Sequence, residues 1–283
     1  MTGAQSLLPL GKFEKLENGH TLHYLEYGAG EPIVLLHGSG IGASGYSNFK
    51  SNYQCLVDDG FRVIIIDHLG YGFSDKPRGV AYTLDLFVEC TRQLLRRIGV
   101  GPCTMVGNSL GGAIALGYAL AYPGSVSGLI LMAPGGIEEK ADYFAMEGHV
   151  AMRAAFEAGT ALTASRMKVL LQNELVYDAA VMTDELIAER MEVQQLQNDQ
   201  VIVSMVIPNM TARLAEIRCP VLVLWGLQER LMPMTGIDKL ARGCANARVV
   251  LVPRCGHWVM LEHRDLFNRM VLDFLRHDLP SAA

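Results

Sequence analysis

Short apolar runs recur along the chain and stop at turn residues. Ile33–Leu36 runs into His37-Gly38, Val63–Ile66 ends at Asp67, and Thr104–Val106 ends at Gly107. Leu129–Met132, Val221–Leu224 and Val249–Val252 follow the same form. Continuous Val/Ile/Leu runs without polar alternation predict strands buried on both faces, as in a parallel sheet. Between them the period changes. From Thr83 onward, Leu84, Phe87, Val88, Thr91, Leu95 and Ile98 share one face at helical spacing, and Gly99 stops the run. Leu266, Phe267, Met270, Val271 and Phe274 repeat the pattern near the C-terminus. Strands alternating with helices predict an α/β class, with a mostly parallel central sheet and helices on both faces.

The middle of the chain departs from this alternation. From Ile137 to Met210 strand-like runs become scarce, and helical patterns appear around Ala145–Ala158, Ala164–Leu175 and Asp184–Gln197. The expected organisation is a core of residues 1–136 and 211–283 interrupted by a helical lid of 137–210. Met146, Met152, Met167, Met182, Met191 and Met205 either line an adaptable apolar pocket or pack the lid onto the core.

At 283 residues, half of them hydrophobic and 19% charged, the chain is long enough for a large core covered on both faces. A net charge of −5 speaks against a nucleic-acid or anionic-membrane partner. Six scattered cysteines without a CxxC pair read as free thiols. With no basic leader and no long apolar run, the expectation is a cytoplasmic protein without a membrane span. No metal-ligand spacing and no G-x-G-x-x-G after a strand occur, so neither metal nor cofactor is expected.

Gly107-Asn108-Ser109-Leu110-Gly111 is a G-x-S-x-G pentapeptide between a predicted strand and a predicted helix, the context in which this motif makes serine a nucleophile. A serine needs a base. The chain order nucleophile, acid, histidine selects His257, which follows a late strand in Cys255-Gly256-His257-Trp258. His263 is its nearest rival. The acid is expected after Val221–Leu224, where Glu229 stands, with Asp238 as the fallback. The bland alternative for Glu229 is a surface pair with Arg230. The turn His37-Gly38-Ser39-Gly40 offers the Ser39 backbone N–H as an oxyanion donor beside that of Leu110. His37 reads as a loop brace, and Asp67–Asp75 as a glycine-rich turn that shapes the sheet edge.

Taken together, these motifs resemble the meta-cleavage product hydrolases, carbon–carbon hydrolases of the α/β-hydrolase superfamily, from about Leu22 to Leu275. The resemblance rests on His37-Gly-Ser-Gly-Ile-Gly-Ala-Ser-Gly-Tyr-Ser-Asn48-Phe, on Gly107-Asn108-Ser109, on Asp184-Glu-Leu-Ile-Ala-Glu-Arg190 and on Cys255-Gly-His257-Trp258. It implies that Asn48, Asn108, Arg190 and Trp258 line the polar end of a pocket for a small-molecule dienoate. An arginine there can grip a carboxylate through two parallel bonds. On residues alone, Arg190 could equally be a solvated helix residue paired with Glu185 or Glu189. Three positions depart from the family pattern: Glu229 replaces an aspartate, Leu175 a bulky aromatic and Ile41 a proline. The implied reaction is hydrolysis of a carbon–carbon bond in a ring-fission product. A carboxylesterase or lactonase is the alternative. A dimer or larger homo-oligomer is expected.

Overall fold

The structure is a computed structural model that describes residues 6–157, 162–198 and 200–279. Eight strands share one sheet: β1 (Lys12–Lys15), β2 (Thr21–Tyr27), β3 (Pro32–Leu36), β4 (Arg62–Ile66), β5 (Cys103–Asn108), β6 (Val126–Met132), β7 (Val221–Gly226) and β8 (Ala247–Val252). Their order is β1-β2-β4-β3-β5-β6-β7-β8. The β1–β2 and β2–β4 pairs are antiparallel, and every other neighbouring pair is parallel. The class is therefore the α/β arrangement expected from the apolar runs. Register matters most here. Leu36 lies opposite both Ile66 and Gly107, Asn108 opposite Met132, and Met132 opposite Leu224. The loops after β3, β4, β5, β6 and β7 therefore open at one edge of the sheet, where α/β folds place their ligands.

The central strands are buried on both faces because helices cover each side. The helix Leu84–Arg97 is capped by the Thr83 hydroxyl, which accepts from the Leu86 N–H, and carries Asp85 in its first turn and Arg96 and Arg97 in its last, matching its dipole. It buries Phe87, Leu94 and Leu95 in the core, each contributing roughly 1.5–3 kcal/mol of transfer free energy. β8 differs from the expectation of a strand buried on both faces. It closes the sheet at one edge, so Leu251 is 46% exposed despite sitting in an apolar run.

Between β6 and β7 lie the helices Lys140–Ala145, Glu147–Glu157, Ala164–Glu174, Asp184–Gln194 and Gln200–Ser204. The pattern expected over Ala145–Ala158 is the helix Glu147–Glu157, its expected end at Ala158 falls outside the described residues, and the short helix Lys140–Ala145 before it was not expected. Thr163 and Thr183 cap the next two. A two-residue strand, Met205–Val206, pairs in parallel with Tyr82–Thr83, which no apolar run announced. Met167 and Met182 are buried in the core, while Met152, Met191 and Met205 are half-buried against it. The chain leaves and rejoins the sheet layer side by side: Met210 N–H donates to Gly136 O at 2.7 Å and the Thr211 hydroxyl to Ile137 O at 2.6 Å. Among the described residues, no helix is long and apolar enough to cross a membrane.

Candidate active site

Ser109 stands at the junction of β5 and the helix Leu110–Ala121 with φ 54° and ψ −114°. A non-glycine residue there carries strain of about 1–3 kcal/mol, so the surroundings must hold it. They do. Ser109 N–H donates to Met132 O at 3.0 Å, and Ser109 O accepts from Ala113 at 3.0 Å and Gly135 at 2.9 Å. The flanking glycines are required by space: a Cβ on Gly107 would lie 2.4 Å from Gly111 O, and one on Gly111 would lie 2.0 Å from Leu36 O. This turn sets the serine at the head of a helix whose first N–H groups have no intrahelical partner.

Glu229 and His257 meet at the same edge. The Glu229 side chain folds back on its own loop, where Oε1 accepts from Leu231 N at 2.7 Å and Met232 N at 3.3 Å. Its Oε2 lies 2.7 Å from His257 Nδ1, with both side chains buried. Arg230 turns away to Glu147 at 2.8 Å and to Asn173 O at 2.8 Å, so the surface pair is not formed. Asp238 is exposed and paired with Arg242, and His263 contacts Arg254 O. The His257 loop is tied down by its own N–H to Leu175 O at 2.8 Å and by Asn108, whose Nδ2 reaches His257 O at 3.3 Å and Met132 O at 3.4 Å. The donors of Asn108 thus face backbone carbonyls.

The glycine-rich loop after β3 links the serine to Arg190. A Cβ on Gly38 would lie 3.3 Å from Ser109 Cβ, and one on Gly40 would lie 3.7 Å from Arg190 Nη2. Ser39 sits between the two, and two residues of extended chain span about 7 Å. Arg190 is 1% exposed. Its Nη2 donates to Ile41 O at 2.7 Å, and its guanidinium lies 5.3 Å from the Trp258 ring centre, in cation–π range. Neither Nε nor Nη1 has a hydrogen-bond partner among the described residues. Burial pulls its pKa down to about 10. The two nearby carboxylates do not help: Glu189 and Glu185 both face Lys50, at 2.8 and 3.4 Å. Asn48, on the helix Gly45–Phe49 packed against Asp184–Gln194, is buried with Nδ2 unpartnered. A buried cation without a counter-ion is costly. Arg190 and Asn48 each carry unfilled donors, and the two free guanidinium nitrogens of Arg190 suit an anion.

Some neighbours of the site carried no sequence signal. His149, on the helix Glu147–Glu157, is brought to the acid loop because Gly148 N–H donates to Arg230 O at 3.0 Å. Burial pushes the His149 pKa down to about 4; the His257 charge lowers it further and Glu229 opposes. His37 is likewise held near 4, chiefly by burial. Each imidazole is then protonated near pH 6.5 in the unfolded chain and only near 4 in the fold. The unfolded state binds more protons between those values, so this stability is complete above 6.5 and lost as pH falls toward 4. Each contributes a loss of about 2 kcal/mol by pH 5. Glu189 and Glu262, raised by burial, act oppositely just above pH 4.5. A difference measurement removes their effect. Denaturant melts of His149→Gln should show about 2 kcal/mol less loss between pH 7.5 and 5 than the wild type shows. Equal losses would place the His149 ring in water.

The family described as alpha/beta hydrolase fold matches residues 31–264. A 2-hydroxy-6-oxononadienedioate/2-hydroxy-6-oxononatrienedioate hydrolase of Burkholderia vietnamiensis is 38% identical over 274 residues, which is 92% of this chain and 93% of that protein. The chain belongs to the meta-cleavage product hydrolases. Two solved structures agree with that membership. The meta-cleavage product hydrolase of Pseudomonas fluorescens IP01 superimposes with a TM-score of 0.82 at 27% identity, covering 94% of this chain and 98% of that one. The 2-hydroxy-6-oxo-6-phenylhexa-2,4-dienoate hydrolase of Rhodococcus sp. strain RHA1 gives 0.78 at 26%, covering 94% and 99%. Within this hydrolase, Ser109, Glu229 and His257 occupy loops at the carboxyl edge of the sheet, while Arg190 arrives from the helical segment between β6 and β7.

Proposed function

We propose that this meta-cleavage product hydrolase cleaves a 2-hydroxy-6-oxo-hexa-2,4-dienoate-type ring-fission product next to its distal ketone, giving a 2-hydroxydienoate and a carboxylic acid in aromatic compound degradation. The observation that carries this reading is the buried Arg190 guanidinium, which among the described residues has two unpartnered nitrogens and no paired carboxylate. A simple ester has no use for such a cation. A dienoate brings both a carboxylate and, one carbon on, an oxygen that Asn48 can bind.

In this reading Arg190 holds the carboxylate and Trp258 holds Arg190. The glycine-rich loop then leads from the anion site to Ser109, so that the substrate's ketone lies beside the serine. The bound enol first tautomerises to its keto form, with His257 moving the proton. Ser109 is the nucleophile. His257 Nε2 accepts its proton, and Glu229 holds Nδ1–H and stabilises the imidazolium. The tetrahedral oxyanion is met by the backbone N–H groups of Ser39 and Leu110. Collapse breaks the carbon–carbon bond, because the departing carbanion is delocalised into the dienoate and is protonated from His257. Water, deprotonated by His257, then releases the acyl group from Ser109. Asn108 acts from behind, keeping the His257 loop against the nucleophile turn. The helices of 137–210 form a lid that excludes water, carried on paired strands of chain at Gly136 and Met210.

The test pairs two substrates. Arg190→Met keeps volume and removes the cation, so kcat/KM for a yellow dienoate should fall about 10²–10³-fold. Turnover of p-nitrophenyl acetate, which has no carboxylate, should change little. Equal loss on both substrates would remove the carboxylate role. Ester turnover by a wild-type enzyme that leaves the dienoate untouched would assign the site to ester hydrolysis instead.

A further inference from the structure

His37 is buried immediately before the loop that passes over Ser109, and every hydrogen bond it makes has a fixed direction. The His68 backbone N–H donates to His37 Nε2 at 3.1 Å. An amide N–H can only donate, so Nε2 carries a lone pair and the ring proton of the neutral imidazole sits on Nδ1. That Nδ1–H points to Gly38 O at 2.7 Å. The His68 ring answers with Nε2 at 3.0 Å from His37 O. Tyr71 packs edge-on against the His37 ring with centroids 5.4 Å apart. Asp67, at the start of the same turn, accepts from Gly45 N at 2.7 Å and pairs with His23 Nδ1 at 2.7 Å, which anchors the far end of the loop. The Asp67–Asp75 turn is therefore bonded to both ends of the glycine-rich loop.

Gly38 C=O and Ser39 N–H belong to one planar trans unit and point to opposite edges of it. Drawing the carbonyl onto the His37 ring turns the Ser39 N–H to the opposite edge of the peptide, away from His37. Glycine at 38 allows the approach, since a Cβ there would lie 2.8 Å from Asn108 Oδ1. The cluster also keeps its chemistry through neutral pH, because burial holds both imidazoles below the usual histidine range.

We propose that His37 is a positioning residue for the oxyanion hole: fixed as its Nδ1–H tautomer by the His68 amide, it pins the Gly38–Ser39 peptide so that the Ser39 N–H faces the reacting carbonyl. The inference rests on the reading of Ser39 as an oxyanion donor. It is independent of which bond is cleaved, because carbon–carbon and ester hydrolysis both develop charge on the same oxygen.

Two isosteres separate positioning from packing. In His37→Asn the amide nitrogen falls where Nδ1 was and can still hold Gly38 O. In His37→Gln it falls where Nε2 was, leaving that carbonyl free. Kinetics are run on whichever of the dienoate and p-nitrophenyl acetate the wild type turns over, so failure of the carbon–carbon reading does not disable the test. His37→Gln should lose about 100-fold in kcat with KM nearly unchanged, the scale of one misdirected oxyanion donor. His37→Asn should stay within about fivefold of the wild type. A boronic acid that forms a tetrahedral adduct with Ser109 should lose affinity in parallel with kcat in the Gln variant and keep it in the Asn variant. Equal losses in both variants, a change confined to KM, or an unaltered boronate affinity would overturn the proposal. Should the Gln variant not fold, nitrogen NMR of the wild-type ring decides. The proposal requires a bare Nε2 and a protonated Nδ1 at neutral pH, and an Nε2–H tautomer would overturn it.

Discussion

Ser109→Ala is expected to lower kcat by roughly 10⁵-fold or more while leaving dienoate binding intact, because the hydroxyl is the only group removed and the anion site proposed at Arg190 lies elsewhere. Binding should be read directly, as a shift in the absorbance of the yellow substrate when the variant is mixed with it, and that colour should then persist. The wild type, quenched early, should yield an acyl adduct on the peptide containing Ser109, and the variant should not. A second substitution separates the chemistry from the backbone. The φ of 54° at Ser109 is as awkward for alanine as for serine, so the Ala variant should melt close to the wild type. Ser109→Gly should lose the same activity but gain about 1 kcal/mol in stability as the strain is relieved. A Gly variant no more stable than the Ala variant would show that the turn is not strained. An Ala variant retaining more than about 1% of the rate would remove Ser109 from the role of nucleophile.

That strained turn was also the most legible part of the molecule from sequence. Gly107 and Gly111 mark it because backbone carbonyls occupy the places where side chains would stand, and such a local steric demand shows in a pentapeptide. The buried parallel strands were legible for a related reason: β3 to β7 are covered on both faces, so each carries a run of consecutive apolar residues. β1 and β2 left no such trace. β1 is an edge strand whose residues are mostly exposed, and β2 carries His23 and Glu26 among its apolar residues, with His23 satisfied by Asp67 across 44 positions. The same limit hid the purpose of the Asp67–Asp75 turn, whose partners Gly45, Ala43 and His37 lie on a different loop. His149 reaches the acid loop only through the packing of its helix against Arg230 and Leu231. Arg190 stands between these cases. Its place in the site follows from resemblance alone, and its lack of a carboxylate partner among the described residues depends on Lys50, which follows the helix Gly45–Phe49 and pairs with Glu189.

Glu229, the proposed acid, stands where the family pattern has aspartate, and its replacement is expected to have the second large effect. Glutamate reaches His257 by folding back over its own loop, one oxygen on the Leu231 and Met232 amides and the other on Nδ1. Glu229→Gln cannot satisfy both sides. If its carbonyl oxygen keeps the Leu231 N–H, its NH₂ group faces His257 and forces Nδ1 to accept. The ring proton then moves to Nε2, and the base can no longer take the proton from Ser109. If the amide flips, two donors face each other at Leu231 and the buried loop is left unsatisfied. Either way kcat should fall about 10⁴-fold, the scale seen when a triad acid is made neutral. Glu229→Asp keeps the charge but shortens the reach, so one of the two contacts must lengthen. Retention of the Leu231 contact with a loosened His257 would lower kcat about 10–100-fold. Steady-state rates of both variants across pH 5–9 check this. A Gln variant within tenfold of the wild type would show that His257 takes its tautomer from something other than Glu229. An Asp variant equal to the wild type would mean that the loop itself moves to follow the shorter side chain, and that the extra methylene is neutral to catalysis.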